Sequence, residues 1–423
     1  MLVFARFLAM GAAASLLVIA TAGSAGATSA SIWQVVPSEN PQPQQVTNSS
    51  FASVSLTSAS DGWAVGQFMD KNAIGHPLAE HWDGSAFSRV AAPTPTGRQA
   101  GLAGVDELSP SNAWAVGTSG DGGAGQGNID DQPLIEHWNG TRWSIVTGPS
   151  LPPGGTGDLT AIGGTGPDDL WAAGFQLSAD ATQESVLFAH FDSTTWQNVT
   201  FPTESQACDP KAADCFLQPK AVTAAAPNDV WVVGTVAEPN PTANFIALER
   251  HYLECVVPSP CLEGSNVPAC SSNSINLNEL TGVTALSGSD AWASGSEGNV
   301  NDMNFHIPYV LHWNGTVWSL VKTPTRGGEG SLLNGIPALG ADDVWAVGQT
   351  QSLNGAIKPL TEQFNGSTWS LVPSPAPGSA GTLPDDSLAG VASPGGGLVF
   401  AAGARDIPGQ CCLRTLAIKT TSG

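Results

Sequence analysis

The chain combines 423 residues with a charged fraction of only 12% and an abundance of turn-forming residues, 49 glycines and 31 prolines. This composition is typical of short strands joined by many turns, and it excludes a protein built from long helices. The 36 acidic residues outnumber the 14 basic ones and give a formal net charge of −22. Because this charge repels phosphate groups, nucleic acids and anionic membrane surfaces are poor candidate partners.

The first 27 residues have the features of a secretory signal peptide. Arg6 precedes an apolar stretch at residues 7–22, and the small residues Ala25-Gly26-Ala27 provide a cleavage site. The alternative is an uncleaved membrane anchor, for which the apolar stretch is short and interrupted by small residues. We therefore expect cleavage after the signal peptide, residues 1–27, and a secreted, extracellular protein whose single domain covers residues 28–423.

A segment similar to Trp-Ala-Val-Gly recurs through the remaining chain at intervals of 51 to 61 residues. Each copy has an aromatic residue, a glycine three positions later and a β-branched residue nine positions earlier. The aromatic residues are Trp63, Trp114, Trp171, Trp231, Trp292, Trp345 and Phe400. A fixed period of this length predicts a repeat architecture. We number the seven repeats in chain order.

Each repeat predicts four short antiparallel strands, labelled A to D. Strand A carries the β-branched residue, and strand B carries the repeated aromatic residue. Strand C ends in a His-aromatic pair such as His81-Trp82, and an Asn-Gly or Asp-Gly turn follows, because both residues tolerate positive φ. Strand D begins with Trp in most copies, as in Trp143-Ser144-Ile145-Val146. Four such strands make one blade of a β-propeller.

The two ends of the chain complement each other. Repeat 7 ends after strand C, near Leu416-Ala417-Ile418, whereas Ile32-Trp33-Gln34-Val35-Val36 matches the pattern of strand D. We therefore predict an all-β, seven-bladed β-propeller of four-stranded antiparallel blades, closed by the N-terminal strand joining the last blade. Trp33 is the expected ring-closure residue. The repeated strand B aromatics are expected to form the core between blades rather than a sugar-stacking surface.

The loops from B to C and from D to A fall on one face of the predicted propeller. They carry almost all the length variation of the repeats, and six of the seven cysteines also lie there. Long loops stapled by structural disulfides explain both observations. The candidate disulfide residues are Cys208, Cys215, Cys261, Cys270, Cys411 and Cys412. Their pairing stays open, and adjacent Cys411 and Cys412 could pair with each other or with other loops.

The repeated histidines and aspartates are expected to be structural. Five histidines directly precede the last residue of strand C: His81, His137, His190, His251 and His312. Aspartates two positions before the strand B aromatic are suited to capping the A-to-B turn: Asp61, Asp169, Asp229, Asp290 and Asp343. No catalytic set and no cofactor is predicted from these residues.

Two acidic stretches in the variable loops are candidates for binding calcium. They contain Asp121 with Asp130-Asp131, and Glu297 with Asp302. Oxygen-rich loops with glycine can bind this ion, but neither stretch has the spacing of an EF-hand.

The repeats resemble those of known propellers across residues 31–423. The C-to-D turn, with Gly140 three residues before Trp143, resembles the Asp-box of sialidase-like proteins. The Trp-Ala-Val-Gly strand resembles the repeats of photosystem-assembly-factor-like and kelch or galactose-oxidase-like proteins. Trp138 occupies the aspartate position of the Asp-box, and the kelch double glycine is absent. The galactose-oxidase-like resemblance implies a copper site with tyrosine ligands, and the chain has only two tyrosines. The sialidase-like resemblance implies a cluster of arginines, whereas the arginines of this chain are scattered over different loops.

These patterns predict a non-catalytic propeller that binds an extracellular glycan or protein through its variable B-to-C and D-to-A loops or the channel mouth. The alternative is a carbohydrate-active hydrolase with acidic residues at that mouth. Asp106 and Glu107 in strand A of repeat 2 are the first candidates for its acids, because strand A lines the channel. A two-acid mechanism requires the carboxylates to lie within about 10 Å of each other.

Overall fold

The computed structural model describes residues 33–41, 46–121, 130–180, 184–201, 216–237, 243–249, 255–258, 276–299, 302–324, 330–378, 385–407 and 412–421. All the regular elements in these ranges are β-strands. Within this part of the chain, no helix has the length and apolar character needed to cross a bilayer. The predicted signal peptide lies outside the described residues.

The strands form an all-β propeller of antiparallel sheets, and all of these sheets except that of repeat 7 are built from consecutive strands. Repeat 1 contains β2 (Val46–Ser58), β3 (Asp61–Asp70), β4 (Gly75–Trp82) and β5 (Phe87–Val90). Repeat 2 contains β6 (Gln99–Ser109), β7 (Asn112–Gly120), β8 (Gln132–Trp138) and β9 (Trp143–Val146). Repeat 3 contains β10 (Thr156–Gly166), β11 (Asp169–Leu177), β12 (Glu184–Phe191) and β13 (Trp196–Asn198).

The later repeats follow the same order. Repeat 4 contains β14 (Phe216–Ala226), β15 (Asp229–Ala237), β16 (Ala243–Glu249) and β17 (Cys255–Pro258). Repeat 5 contains β18 (Asn276–Ser287), β19 (Asp290–Asn299), β20 (Asp302–Trp313) and β21 (Trp318–Val321). Repeat 6 contains β22 (Gly330–Gly335), β23 (Ala338–Gly340), β24 (Asp343–Gln351), β25 (Ile357–Phe364) and β26 (Trp369–Leu371). Repeat 7 contains β27 (Ser387–Gly395), β28 (Leu398–Arg405) and β29 (Arg414–Thr420), joined by β1 (Trp33–Val35).

The described residues contain six four-stranded blades, and the sheet of repeat 6 differs from them. Its strand A is divided into β22 and β23, which both pair with β24. Pro337 lies at the break, and proline has no N–H to donate to a ladder. Its carbonyl instead accepts a hydrogen bond from the backbone N–H of Trp345 at 3.0 Å. The prediction of seven four-stranded blades is therefore corrected: six sheets have four strands, and Pro337 interrupts strand A of the other sheet.

The N-terminal segment supplies the fourth strand of the repeat 7 sheet. β1 pairs antiparallel with β29, with Trp33 opposite Thr420 and Val35 opposite Ile418. Trp33 is 3% exposed, and its ring meets that of Trp345 from repeat 6 edge to face, with centroids 5.4 Å apart. The first and last segments of the described chain therefore share one sheet.

The C-to-D turns adopt the hairpin form that Asn-Gly and Asp-Gly favour. Gly140 has a φ of 86°, a left-handed conformation that glycine adopts without strain. The side-chain oxygen of Asn139 accepts hydrogen bonds from the backbone N–H groups of Thr141 and Arg142, both at 3.1 Å. These contacts hold a tight turn on the face opposite the variable loops.

The repeated aromatic residues fill the space between neighbouring sheets. All seven are at most 5% exposed. Trp63 of repeat 1 contacts Trp138 and Trp143 of repeat 2, at centroid distances of 4.8 and 4.9 Å. A Cβ at Gly66 would lie 2.0 Å from the carbonyl oxygen of Ser50, so only glycine allows strands A and B to approach this closely behind the ring.

Replacing Trp33 with alanine should destabilise the fold by about 3–5 kcal/mol, because the cavity lies where two sheets and both ends of the chain meet. Urea unfolding measures the loss. Trp318→Ala provides a matched control, since Trp318 also begins a strand D but is only partly buried. An equal loss of unfolding free energy in the two variants would show that the contact of Trp33 with Trp345 adds no more stability than an ordinary strand D tryptophan.

Candidate binding site at the mouth of the central channel

Every strand A carries a β-bulge at the equivalent position, seen as a shift in its register against strand B. The bulged residues are Ala52, Ala103, Thr160, Lys220, Thr281, Asn334 and Ala389. A bulge re-aims a side chain out of the regular alternation of the strand. All seven bulged residues line one central cavity of about 200 Å³, which we call the channel. Strand A is therefore the innermost strand of each repeat.

The polar side chains of the channel wall mostly connect neighbouring repeats. The hydroxyl of Thr160 donates to the carbonyl of Pro219 at 2.8 Å, and the amide of Asn334 donates to the carbonyl of Leu388 at 2.7 Å. Lys220 differs, because its side chain is exposed and it is the only charged residue among those lining the channel in the described part of the chain. Lys220 is thus the residue of the channel wall that can offer a full positive charge to a ligand.

A second cavity, of about 230 Å³, adjoins the channel at the start of strand A in repeats 1 to 3. It shares three bulged residues with the channel and borders the segments that lead into the variable loops. Its polar side chains are those of Ser50, Gln67, Thr118, Asp158 and Thr160. We call this space the mouth cavity, because it connects the channel to the variable face.

Asp158 is the acidic residue of the mouth cavity. Its side chain is 7% exposed, and its Oδ1 has no hydrogen-bond partner among the described residues. Burial is the main cause that raises its pKa to about 7; a hydrogen bond from the N–H of Phe175 opposes the shift. Nearby Asp131 and Glu184 raise it further, and Lys220 lowers it. Near neutral pH this carboxyl can therefore either donate or accept a hydrogen bond.

Glu184 extends the polar surface from repeat 3 toward repeat 4. Its Oε1 accepts a hydrogen bond from the side-chain amide of Gln218 at 3.3 Å. Burial raises its pKa, while the bond from Gln218 and the charge of Lys220 act in the opposite direction. Asp158, Glu184 and Lys220 thus form an interacting set that could hydrogen-bond hydroxyl or amide groups of a ligand.

The structure separates Asp106 and Glu107, the acids suggested for hydrolysis. Adjacent residues of a strand point to opposite sides of the sheet. Asp106 accepts a hydrogen bond from the N–H of Gly164 in repeat 3, whereas Glu107 accepts one from the N–H of Thr57 in repeat 1 at 2.8 Å. Burial raises the pKa of both to about 7. Neither lines the channel or the mouth cavity, so their expected position at the channel mouth is wrong.

Sequence reasoning missed Asp158 as a residue of the mouth cavity and Glu184 as a charged neighbour of Asp158. Asp158 lies four positions before the β-branched marker residue of its strand, Ile162, in a place where repeat 1 has Ser50 and repeat 2 has Gly101. The later repeats have Gln218, Glu279, Leu332 and Ser387 at this position, so no signal in the sequence set Asp158 apart. Glu184 offered none, because it begins strand C directly after a variable loop.

The repeated histidines and aspartates are partners of each other. His Nε2 lies 2.6 Å from the carboxylate in the pair of repeat 1 and 2.9 Å from it in repeats 3 and 5; the pairs are His81–Asp61, His190–Asp169 and His312–Asp290. Repeat 2 has His137 with Asn112 at 3.0 Å, and repeat 6 has Gln363 with Asp343 at 2.9 Å. Each pair ties the end of strand C to the A-to-B turn. His251 lies outside the described residues.

At the His81–Asp61 pair, a third side chain lies close enough for the group to hold a metal ion. In repeat 1 the ligand atoms of Asp61, His81 and Glu107 all lie within 4.8 Å of one another. Among the described residues, the acidic stretches proposed for calcium form no such group. Asp130 is instead paired with Arg98, at 3.3 Å from Nη1 to Oδ2. Calcium binding stays a prediction.

Most of the candidate disulfides lie outside the described residues. Cys412 is disulfide-bonded, and its partner is not among the described side chains. Cys208, Cys215, Cys261, Cys270 and Cys411 are outside the described ranges. Their pairing therefore stays a prediction.

Buried glutamates occupy one repeated position of strand C, directly before the histidine or its substitute. They are Glu80, Glu136 and Glu362, each fully buried. Neither carboxyl oxygen of Glu136 has a hydrogen-bond partner among the described residues, and burial raises its pKa to about 8. Burial raises the pKa of Glu80 to about 9. Repeat 5 fills the same position with Leu311, so an apolar side chain fits there.

The similarities to known proteins found for this chain are similarities of fold and not of sequence. No protein-family model and no curated protein sequence matches the chain. Similar solved structures include YCF48 bound to a D1 peptide, with 13% identity, a TM-score of 0.47 and coverage of 92% of this chain and 97% of that one. A Hadza microbial sialidase has 9% identity, a TM-score of 0.47 and coverage of 82% and 73%. A Penicillium chrysogenum alpha-L-arabinanase complexed with arabinobiose has 7% identity, a TM-score of 0.41 and coverage of 93% and 97%.

Replacing Glu136 with leucine should make stability less sensitive to pH. The folded-state pKa of about 8 lies above the ordinary glutamate pKa of 4.5, so the protonated carboxyl contributes stability at low pH that is lost as pH rises toward 8. One such group changes the free energy of unfolding by at most about 1.4 kcal/mol per pH unit. Urea unfolding between about pH 5 and pH 8 should show a shallower decline in Glu136→Leu than in the wild type.

The exposed Asp168 provides the control, because Asp168→Asn should leave the decline unchanged. Parallel curves for Glu136→Leu and the wild type would contradict the assignment of a neutral buried acid.

Proposed function

We propose that this chain is an exported, non-catalytic β-propeller that binds an extracellular glycan or protein at the mouth cavity and the variable loops around it. The proposal includes a closed ring of seven blades, completed by β1. A channel lined by strand A of all seven repeats supports the ring, as does the pairing of β1 with β29. Such a scaffold is stiff, so the loops on one face can vary without loss of the fold.

The proposal rests on one observation: the buried Oδ1 of Asp158 has no hydrogen-bond partner among the described residues. A buried polar atom without a partner costs about 1–3 kcal/mol, so a ligand group that bonds to its Oδ1 removes an existing penalty. The side chains of Ser50, Gln67 and Thr118 surround the same cavity with further donors and acceptors. A sugar presents several hydroxyls that both donate and accept, which suits this set, and we consider a glycan the first candidate ligand.

Export and the choice of partner class rest on the sequence. Residues 1–27 have the pattern of a signal peptide, and the disulfide at Cys412 is compatible with an oxidising compartment. The net charge of −22 disfavours nucleic acid and anionic lipid surfaces.

A carbohydrate-active hydrolase is the second candidate. The raised pKa of Asp158 favours it, because a glycosidase needs one carboxyl that stays protonated near neutral pH, and Glu184 would supply the second carboxyl. In this hypothesis Asp158 is the general acid. Lys220 then helps to keep Glu184 ionised.

A glycan array probed with the exported protein tests the first candidate. Asp158→Asn should weaken binding of a retained glycan at least about tenfold, because it removes a charged or donating carboxyl from the cavity wall. Lys220→Met should weaken binding of acidic glycans more than of neutral ones. Asp168→Asn, on the opposite face, should change neither. Unaltered binding in both mouth variants would exclude the mouth cavity as the binding site.

Release of reducing sugar from the polysaccharides and aryl glycosides of the same panel tests the second candidate. Turnover that is lost in both Asp158→Asn and Glu184→Gln would establish the hydrolase and overturn the non-catalytic proposal. Binding without turnover would establish the first candidate.

A further inference from the structure

The Asp–His pair of repeat 1 is accompanied by a third ligand-type side chain, Glu107 from repeat 2. The equivalent position in strand A is filled by small or apolar residues in every other repeat: Leu56, Gly164, Ala224, Ala285, Ala338 and Ser393. The pair Asp169–His190 therefore faces Ala224 of the next repeat, and the pair Asp290–His312 faces Ala338. Among the described residues, the combination of aspartate, histidine and glutamate is confined to the junction of repeats 1 and 2.

The three side chains converge on a small volume. One ligand atom from each lies within 4.8 Å of the other two, and His81 Nε2 is 2.6 Å from Asp61 Oδ1. The hydroxyl of Thr57 lies 3.0 Å from Glu107 Oε2 and 3.4 Å from Asp61 Oδ2, between the two carboxyls. Two elements of repeat 1 and one of repeat 2 thus position the group, and the fold already holds it together.

Glu107 has an oxygen that these contacts leave unused. The residue as a whole is 5% exposed, and Oε1 has no hydrogen-bond partner among the described residues. Asp61 and His81 are more accessible, with side chains 13% and 33% exposed. An ion could therefore enter past His81 and reach a carboxyl whose remaining lone pairs are free.

The two acids of this site have no basic partner besides His81. His81 is paired with Asp61, and no described lysine or arginine forms an ion pair with Asp61 or Glu107. Two carboxyls held this close repel each other when both are ionised. A divalent cation between them would remove that repulsion and use the free oxygen.

We propose that Asp61, His81 and Glu107 form a binding site for a divalent transition-metal ion, with zinc preferred, that bridges repeats 1 and 2 on the face of the tight turns. An imidazole nitrogen beside carboxylate oxygens suits zinc and its neighbours, whereas calcium and magnesium prefer ligands that are all oxygen. Three protein ligands leave a fourth position for water or a substrate atom. The site lies away from the mouth cavity and does not depend on the proposed function.

Isothermal titration of the chelator-treated full chain with zinc tests the site. We expect one ion per chain with a Kd of about 10 µM or lower. Two variants use residues that other repeats carry in the same places: Glu107→Ala reproduces Ala224, and Asp61→Asn reproduces Asn112. Each should weaken zinc binding at least about tenfold. Asp169→Asn, in a pair without a third acid, should bind zinc as the wild type does.

Two readouts separate this site from zinc held by a free thiol. X-ray absorption of the zinc-loaded chain should show nitrogen and oxygen ligands and no sulfur. Zinc should also raise the midpoint of thermal unfolding in the wild type and in Asp169→Asn, but not in Glu107→Ala. Absence of binding, a sulfur ligand, or equal affinity in Glu107→Ala and the wild type would overturn the proposal.

Discussion

The contact of one buried aromatic ring with the next sheet is the interaction on which this molecule depends. Trp292, for example, stacks on His312 of its own repeat at 4.0 Å and meets Phe364 of the following repeat at 5.0 Å. Sheets joined in this way must fan around an axis, because each has a bulky residue on one side and small residues facing it on the other. The channel and both faces follow from this packing.

The sequence predicted most of the fold because its signals are local and repeated. The spacing of Trp63 and Gly66 specifies strand B, and the match of residues 33–36 to strand D was sufficient to predict their pairing with β29. The broken strand of repeat 6 could also have been inferred, since Pro337 follows the β-branched marker residue directly. What failed was the assumption that every copy is built alike.

The candidate sites were less predictable because they combine residues from different repeats. Asp106 and Glu107 adjoin in sequence, but strand geometry sends them to opposite neighbours, which a list of acids does not reveal. The cluster of Asp61, His81 and Glu107 joins positions 46 residues apart. Asp61 and His81 looked like structural residues within repeat 1, and Glu107 was expected at the channel mouth instead. Only the packing of repeat 1 against repeat 2 brings them together.

The bulge in strand A has a consequence for how such a molecule can change. The extra residue at each bulge stands outside the regular pairing with strand B, so its side chain can be exchanged without altering the ladder. Three of the bulged residues carry only a methyl side chain: Ala52, Ala103 and Ala389. Larger side chains at these positions would narrow the channel. The lining of the channel can therefore change one substitution at a time, while the strands that surround it stay constant.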